Sequence, residues 1–242
     1  MANMGPGRST PQRRVLVIDD DPVSLGLTAV LLESDGWEVL QAQSGEQALQ
    51  KLMAGAAPDC VLADLRMPSL AGPELAQEVR QIAPDVVLLA MSASPPAGVE
   101  GYDGVLRKPL SAQVLRDAMS QGGSPPTPMA DAQDTGDVLN LSVFDHLRQA
   151  MSAKALEEVV CTFVADTQMR IDLMRTADGE NLRRQAHTIK GGASMVGAAQ
   201  VSAAASAIEA DIDESGDRRQ KLDELESYLR RAEVILKGRL EI

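Results

Sequence analysis

Aromatic side chains are scarce in this chain: one Trp, two Tyr and two Phe among 242 residues. Single-stranded nucleic acids are held by stacking on such rings, and any nucleic acid needs a basic face to displace its counterions. With 23 basic against 35 acidic side chains the balance runs the other way, which speaks against a nucleic-acid partner. Cysteine is nearly absent too. Cys60 and Cys161 lie far apart in apolar runs, and the pattern predicts two buried thiols in a reducing compartment, with no disulfide or cysteine metal site. No stretch reaches the roughly 18 to 20 uninterrupted apolar residues of a membrane span. The opening Met-Ala-Asn-Met-Gly-Pro-Gly has no apolar signal-peptide core, so the expectation is a soluble, cytoplasmic chain without a membrane partner. Proline is missing from residue 139 onward.

What is present suffices for two cores, with 44% apolar residues and a length that suggests two domains. Residues 1–12 read as a loose tail. Short apolar runs at 15–18, 37–42, 59–65, 85–91 and 104–106 alternate with helical patterns at about 22–34, 45–54, 73–82 and 111–120. That alternation predicts an α/β domain over 13–121, a parallel sheet covered on both faces. Residues 122–138, rich in Pro and Gly, read as a linker. Over 139–242 apolar residues recur at three and four, as in Leu182, Ala186, Ile189, Ala193 and Val196, which predicts an all-α bundle. The net charge of -12 divides unevenly: residues 1–137 carry 9 basic and 18 acidic side chains, residues 138–242 carry 14 and 17.

In a parallel α/β sheet, functional groups gather at the carboxyl ends of the strands. Asp19 and Asp20 follow the first strand, Asp64 ends the third, Ser92 follows the fourth and Lys108 the fifth. Three converging carboxylates repel one another, which calls for a hard divalent cation with oxygen ligands, Mg²⁺ being the best fit. The chemistry that suits this set is phosphoryl transfer to Asp64, with Mg²⁺ held by Asp20 and Asp64 and with Lys108 and the Ser92 hydroxyl gripping the phosphoryl oxygens.

The segments V-L-V-I-D-D-D-P, D-C-V-L-A-D-L-R-M-P, L-L-A-M-S-A and L-R-K-P resemble the receiver domain of two-component response regulators. The resemblance implies a five-stranded flavodoxin-like sheet with Asp64 as phosphoacceptor. It also implies Asp19, Asp20 and the backbone carbonyl of Arg66 at the Mg²⁺ site, Ser92 as switch hydroxyl, and a cis peptide before Pro109. Two departures stand out. Val105 holds a position that is usually Tyr or Phe, and the stretch between Ser92 and Lys108 is short and broken by two Pro and three Gly. The fourth helix is therefore expected to be shortened or missing, and the family's usual output face with it.

In the bundle, a helix through 182–196 puts Lys190, Gly191 and Ser194 within about 60° of His187, with the apolar stripe on the far side. His187 is thus expected to face solvent, beside a cation and a bare glycine strip that lets another domain come close. An exposed, neutral imidazole can attack a phosphoryl group, and Lys190 can steady its oxygens. The motif A-H-T-I-K-G-G-A-S-M-V-G-A resembles that of histidine phosphotransfer (HPt) domains. This resemblance implies a four-helix bundle phosphorylated at His187, with no enzymatic activity of its own. His146 reads as a surface residue.

Together these readings give a multistep phosphorelay protein that exchanges phosphate with a separate histidine kinase or response regulator, since no nucleotide-binding glycine motif or kinase core is seen. The linker, about 17 residues spanning on the order of 20 to 25 Å, permits docking of His187 over Asp64. Two alternatives remain. One is a non-relaying module that binds or inhibits a signalling partner. The other is a haloacid-dehalogenase-like phosphatase using Asp19 as nucleophile and Asp21 as acid/base, though it lacks that family's later acidic pair.

Overall fold

The apolar run after Arg13 forms β1 (Arg14–Ile18), and the chain then alternates strand and helix. In order come α1 (Pro22–Ser34), β2 (Glu38–Ala42), α2 (Gly45–Met53), β3 (Cys60–Asp64), α3 (Gly72–Ile82), β4 (Val87–Ser92), β5 (Gly104–Arg107) and α4 (Ala112–Ser120). The computed structural model describes residues 13–93, 99–108, 110, 112–120, 138–210 and 217–240. All strand pairs are parallel, in the order β2-β1-β3-β4-β5. This is the expected flavodoxin-like order, and each element lies within two residues of the reading from sequence.

The sheet separates two cores by its pleat. Val15, Val17 and Leu62 point to the side covered by α1 and α4; Leu16, Ile18 and Val61 point to the side covered by α2 and α3. β3 is buried along its whole length, so its apolar run delivers Asp64 to the sheet's carboxyl edge with no freedom to shift register. Gly45, at the start of α2, is required by space, because a Cβ there would stand 2.3 Å from the Leu70 carbonyl oxygen.

The C-terminal part contains α5 (Leu141–Ala150), α6 (Ala153–Met174), α7 (Gly179–Val196), α8 (Ala199–Ala210) and α9 (Arg218–Leu240). Its core is built by α6 to α9, and α5 packs on it through Phe144 and Leu147, so the described residues hold one helix more than a four-helix bundle. Asn140, Ser152 and Asp178 cap α5, α6 and α7 with their side chains. Gly197 ends α7 in the left-handed conformation, φ 78°, where a Cβ would meet the Asn140 carbonyl at 2.6 Å.

One expectation is modified. Cys60 is buried, but Cys161 is exposed, because its turn of α6 faces away from the bundle core. Among the described residues no helix stands between β4 and β5; residues 94–98 of that stretch, and Pro109 with its expected cis peptide, lie outside the described residues. No helix of the described chain is long and apolar enough to cross a membrane.

The two parts are in contact through α1. Leu27 of α1 is buried in the core of the bundle, flanked by Val23 and Leu31, while Leu25 and Leu32 of the same helix pack on the sheet. α1 touches α5, α6 and α7.

Candidate functional site

Strand ends bring Asp19, Asp64, Ser92 and Lys108 to one edge of the sheet, and all four are buried. Lys108 organises them. Its ammonium donates to Asp19 Oδ2 at 2.7 Å, to Asp64 Oδ2 at 2.5 Å and to Ser24 Oγ at 3.3 Å. Burial alone would push this ammonium down, but the adjacent carboxylates of Asp19 and Asp64 outweigh it and raise its pKa. Its backbone N–H bonds the Ser92 carbonyl at 2.9 Å, tying the end of β5 to the end of β4.

The carboxylates differ in what remains available on them. Asp19 is the most heavily bonded: Oδ1 accepts the Asp21 backbone N–H at 3.0 Å, and Oδ2 accepts both Lys108 and the Ser24 hydroxyl, the latter at 2.6 Å. The phosphatase alternative would need Asp19 as nucleophile, yet both of its oxygens already accept hydrogen bonds and it is Asp64 that borders the His187 side of the junction with Lys108. Asp64 is held by the Arg66 backbone N–H on Oδ1 at 3.0 Å and by Lys108 on Oδ2. Asp20 is half-buried, and its pKa is raised by burial and by the charges of Asp19 and Asp64. Asp21, the side-chain cap of α1, is pushed up to about 6 by burial and by Asp19.

On the bundle, His187 is not in solvent as the helical wheel suggested. Its side chain is only 14% exposed because the receiver part covers it. One small cavity, about 10 Å³, is bordered by Asp64, Asp20 and Lys108 from one side and by His187, Thr188 and Gly191 from the other. Gly192 also lies at this junction, where a Cβ would stand 3.7 Å from Asp21 Oδ2. The bare strip expected to admit another domain admits the one from its own chain.

Glu209, on α8, was not singled out from the sequence. Its Oε1 accepts a bond from His187 Nδ1 at 2.9 Å and its Oε2 one from Lys190 Nζ at 3.1 Å. Burial pushes its carboxyl up, but His187 and Lys190 dominate and bring it down to about 2. The carboxylate is therefore ionised at neutral pH and can only accept, so Nδ1 carries a proton and Nε2 is the ring nitrogen that Glu209 does not engage. Lys190, expected to grip phosphoryl oxygens, is buried with its ammonium on Glu209. Ser24 was missed as well, since a serine in the first turn of a helix has no distinguishing mark. His146 is exposed, as expected.

The donor set fits a hard cation: three carboxylates at one edge, one of them with its pKa raised by burial and then by the other two. Among the described residues no three His, Cys, Asp or Glu side chains already enclose one point; the Lys108 ammonium lies between Asp19 and Asp64 and offsets one of their two charges.

A buried lysine bridging two aspartates at the carboxyl edge of a parallel sheet, set against a histidine on a helical bundle, belongs to a receiver domain docked on a phosphotransfer domain. The profile of the response regulator receiver domain matches residues 15–120, and that of the Hpt domain matches residues 158–235. The chain thus carries a receiver followed by an Hpt domain, and it belongs to the phosphorelay signalling proteins of two-component systems. It is 32% identical over 222 residues to the virulence sensor protein BvgS of Bordetella pertussis, covering 80% of this chain and 18% of BvgS. It is 29% identical over 252 residues to the sensory/regulatory protein RpfC of Xanthomonas campestris pv. campestris, covering 94% of this chain and 35% of RpfC. The chain spans about a fifth and about a third of these relatives. The solved structure of the response regulator TrrA of Thermotoga maritima, a complex with Mg²⁺-BeF, is 28% identical, with a TM-score of 0.41 over 46% of this chain and 98% of that one.

Proposed function

We propose that Asp64 and His187 exchange a phosphoryl group within one chain, which then trades phosphate with a separate histidine kinase or response regulator. The observation that carries this reading is a small cavity bordered by both side chains. Asp19, Asp20, Asp64 and the Arg66 carbonyl would hold Mg²⁺ beside the acceptor; such an ion neutralises phosphoryl oxygens. Asp19 contributes chiefly by fixing Lys108, through its bond of 2.7 Å.

With Nδ1 protonated by its bond to Glu209, phosphohistidine formed at Nε2 is a cationic ring. When an Asp64 oxygen attacks phosphorus, the O–P bond forms, the Nε2–P bond breaks, and its electron pair returns to Nε2 to give neutral imidazole. Reversal is the same step read backwards. Lys108 is released from one carboxylate to bond a phosphoryl oxygen, and the Ser92 hydroxyl takes another. The close fit of the two domains keeps water from the acyl phosphate.

Labelling with acetyl phosphate tests the assignment. Asp64→Asn is expected to abolish labelling, as is chelation of Mg²⁺. His187→Gln is expected to keep base-labile acyl phosphate and lose acid-labile, base-stable phosphate. Undiminished labelling of Asp64→Asn, or base-stable phosphate in His187→Gln, contradicts it.

A further inference from the structure

The Arg66 side chain crosses from the receiver to the Hpt domain. Its backbone N–H is tied to Asp64 Oδ1 at 3.0 Å, so the residue is anchored to the acceptor carboxylate. Its guanidinium forms an ion pair with Glu209, 143 residues further along the chain. The oxygen it reaches, Oε1, is the one that receives His187 Nδ1 at 2.9 Å, and Oε2 of the same carboxylate holds Lys190 at 3.1 Å. One nearly buried carboxylate, 8% exposed, thus gathers a donor from the receiver and two from the Hpt domain. A second cross-domain pair, Arg170 with Asp21, stands at 4.0 Å, beyond hydrogen-bonding distance.

We propose that Arg66 is a positioning and specificity-determining residue that reads Glu209 and thereby couples docking of the receiver to the placement of the His187 ring. The inference deepens the relay reading above and rests on it. Arg66 joins the two reacting groups by a short path: Asp64 to its main chain, its guanidinium to Glu209, and Glu209 to His187. A receiver lacking a cation at this place would still meet the apolar faces but would leave the ring unregistered against the carboxylate. Arginine suits the task because its planar guanidinium can pair with an oxygen already engaged elsewhere. Since 54% of the Arg66 side chain is exposed, the pair supplies geometry more than binding strength.

The test uses the full chain with Arg66→Ala, Arg66→Lys and Arg66→Glu, each alone and combined with Glu209→Gln. Asp64 is loaded with acetyl phosphate, the donor is removed, and the appearance of phosphohistidine is followed per loaded molecule. Arg66→Ala is expected to slow transfer about tenfold and Arg66→Glu more, while Arg66→Lys stays within about threefold of the parent. Combined with Glu209→Gln the three are expected to converge to within about twofold, because the partner charge is gone. Equal rates for Arg66→Ala and the parent, or a series that keeps its spread without the Glu209 charge, would overturn the inference. Absence of phosphohistidine in the loaded parent protein would instead overturn the relay reading itself.

Discussion

At the scale of single residues, the junction concentrates charge that has little water to stabilise it. Asp21 caps α1 with Oδ2, while its Oδ1 is buried without a hydrogen-bond partner among the described residues. Its pKa of about 6, against about 3.8 when unfolded, means that between these values the folded chain holds a proton that the unfolded chain has released. The ionised form therefore costs stability, fully so above pH 6, and the cost fades as pH falls toward 4. Asp21→Asn keeps a good helix cap and removes the charge, and is expected to stabilise the protein at pH 8 by on the order of 1 to 3 kcal/mol. Near pH 4 the difference should vanish. Thermal unfolding of both proteins in Mg²⁺-free buffer at the two pH values measures it, and an equal difference at both contradicts it. Glu209 shows why such residues escaped the sequence reading. It lies 22 residues from His187 on another helix, at the edge of an acidic segment in which no single carboxylate stands out, and only the packing of α7 on α8 brings the two together.

Among elements, α1 carries the most information. The sequence P-V-S-L-G-L-T-A-V-L-L-E-S has no polar face, unlike α2, α3 and α4, which cover the sheet with one side and meet water with the other. A helix apolar all round is buried all round, and α1 is buried by the sheet through Leu25 and Leu32 and by the bundle through Leu27. That signal was present in the sequence and stayed unread, because a helix pattern between two strands already had an explanation. The same face would have to serve any protein donor that reaches Asp64, so in the proposed relay a separate kinase would displace the bundle before loading the receiver. Leu27→Ala removes a buried side chain at the junction and should weaken docking by about 2 to 4 kcal/mol while leaving the sheet core intact. Small-angle scattering is expected to show a larger radius of gyration with unchanged helix content by circular dichroism; an unchanged radius would count against this account of α1. The strands, in contrast, were legible almost residue by residue. Each is a short apolar run ended by a polar group, and burial on both faces leaves no other way to arrange β3.

For the whole molecule, two acidic domains with net charges of -9 and -3 would be expected to repel, yet they meet through an apolar helix face with Arg66 and Arg170 directed at acidic partners. The sequence made both domains readable, and it singled out the two residues proposed as phosphosites, Asp64 at a strand end and His187 in its glycine-flanked motif. It left their mutual orientation open, since linker length limits reach but says nothing of direction. In the proposed relay, the closed arrangement would make the exchange unimolecular, at an effective concentration on the order of mM. The most direct test follows transfer from loaded Asp64 to His187 over a hundredfold dilution of the protein, beside a mixture of the Asp64→Asn and His187→Gln chains. A rate constant unchanged by dilution, with no appreciable transfer in the dilute mixture, is the predicted result. A rate that falls in proportion to concentration, with the mixture matching the parent protein, would contradict relay within one chain.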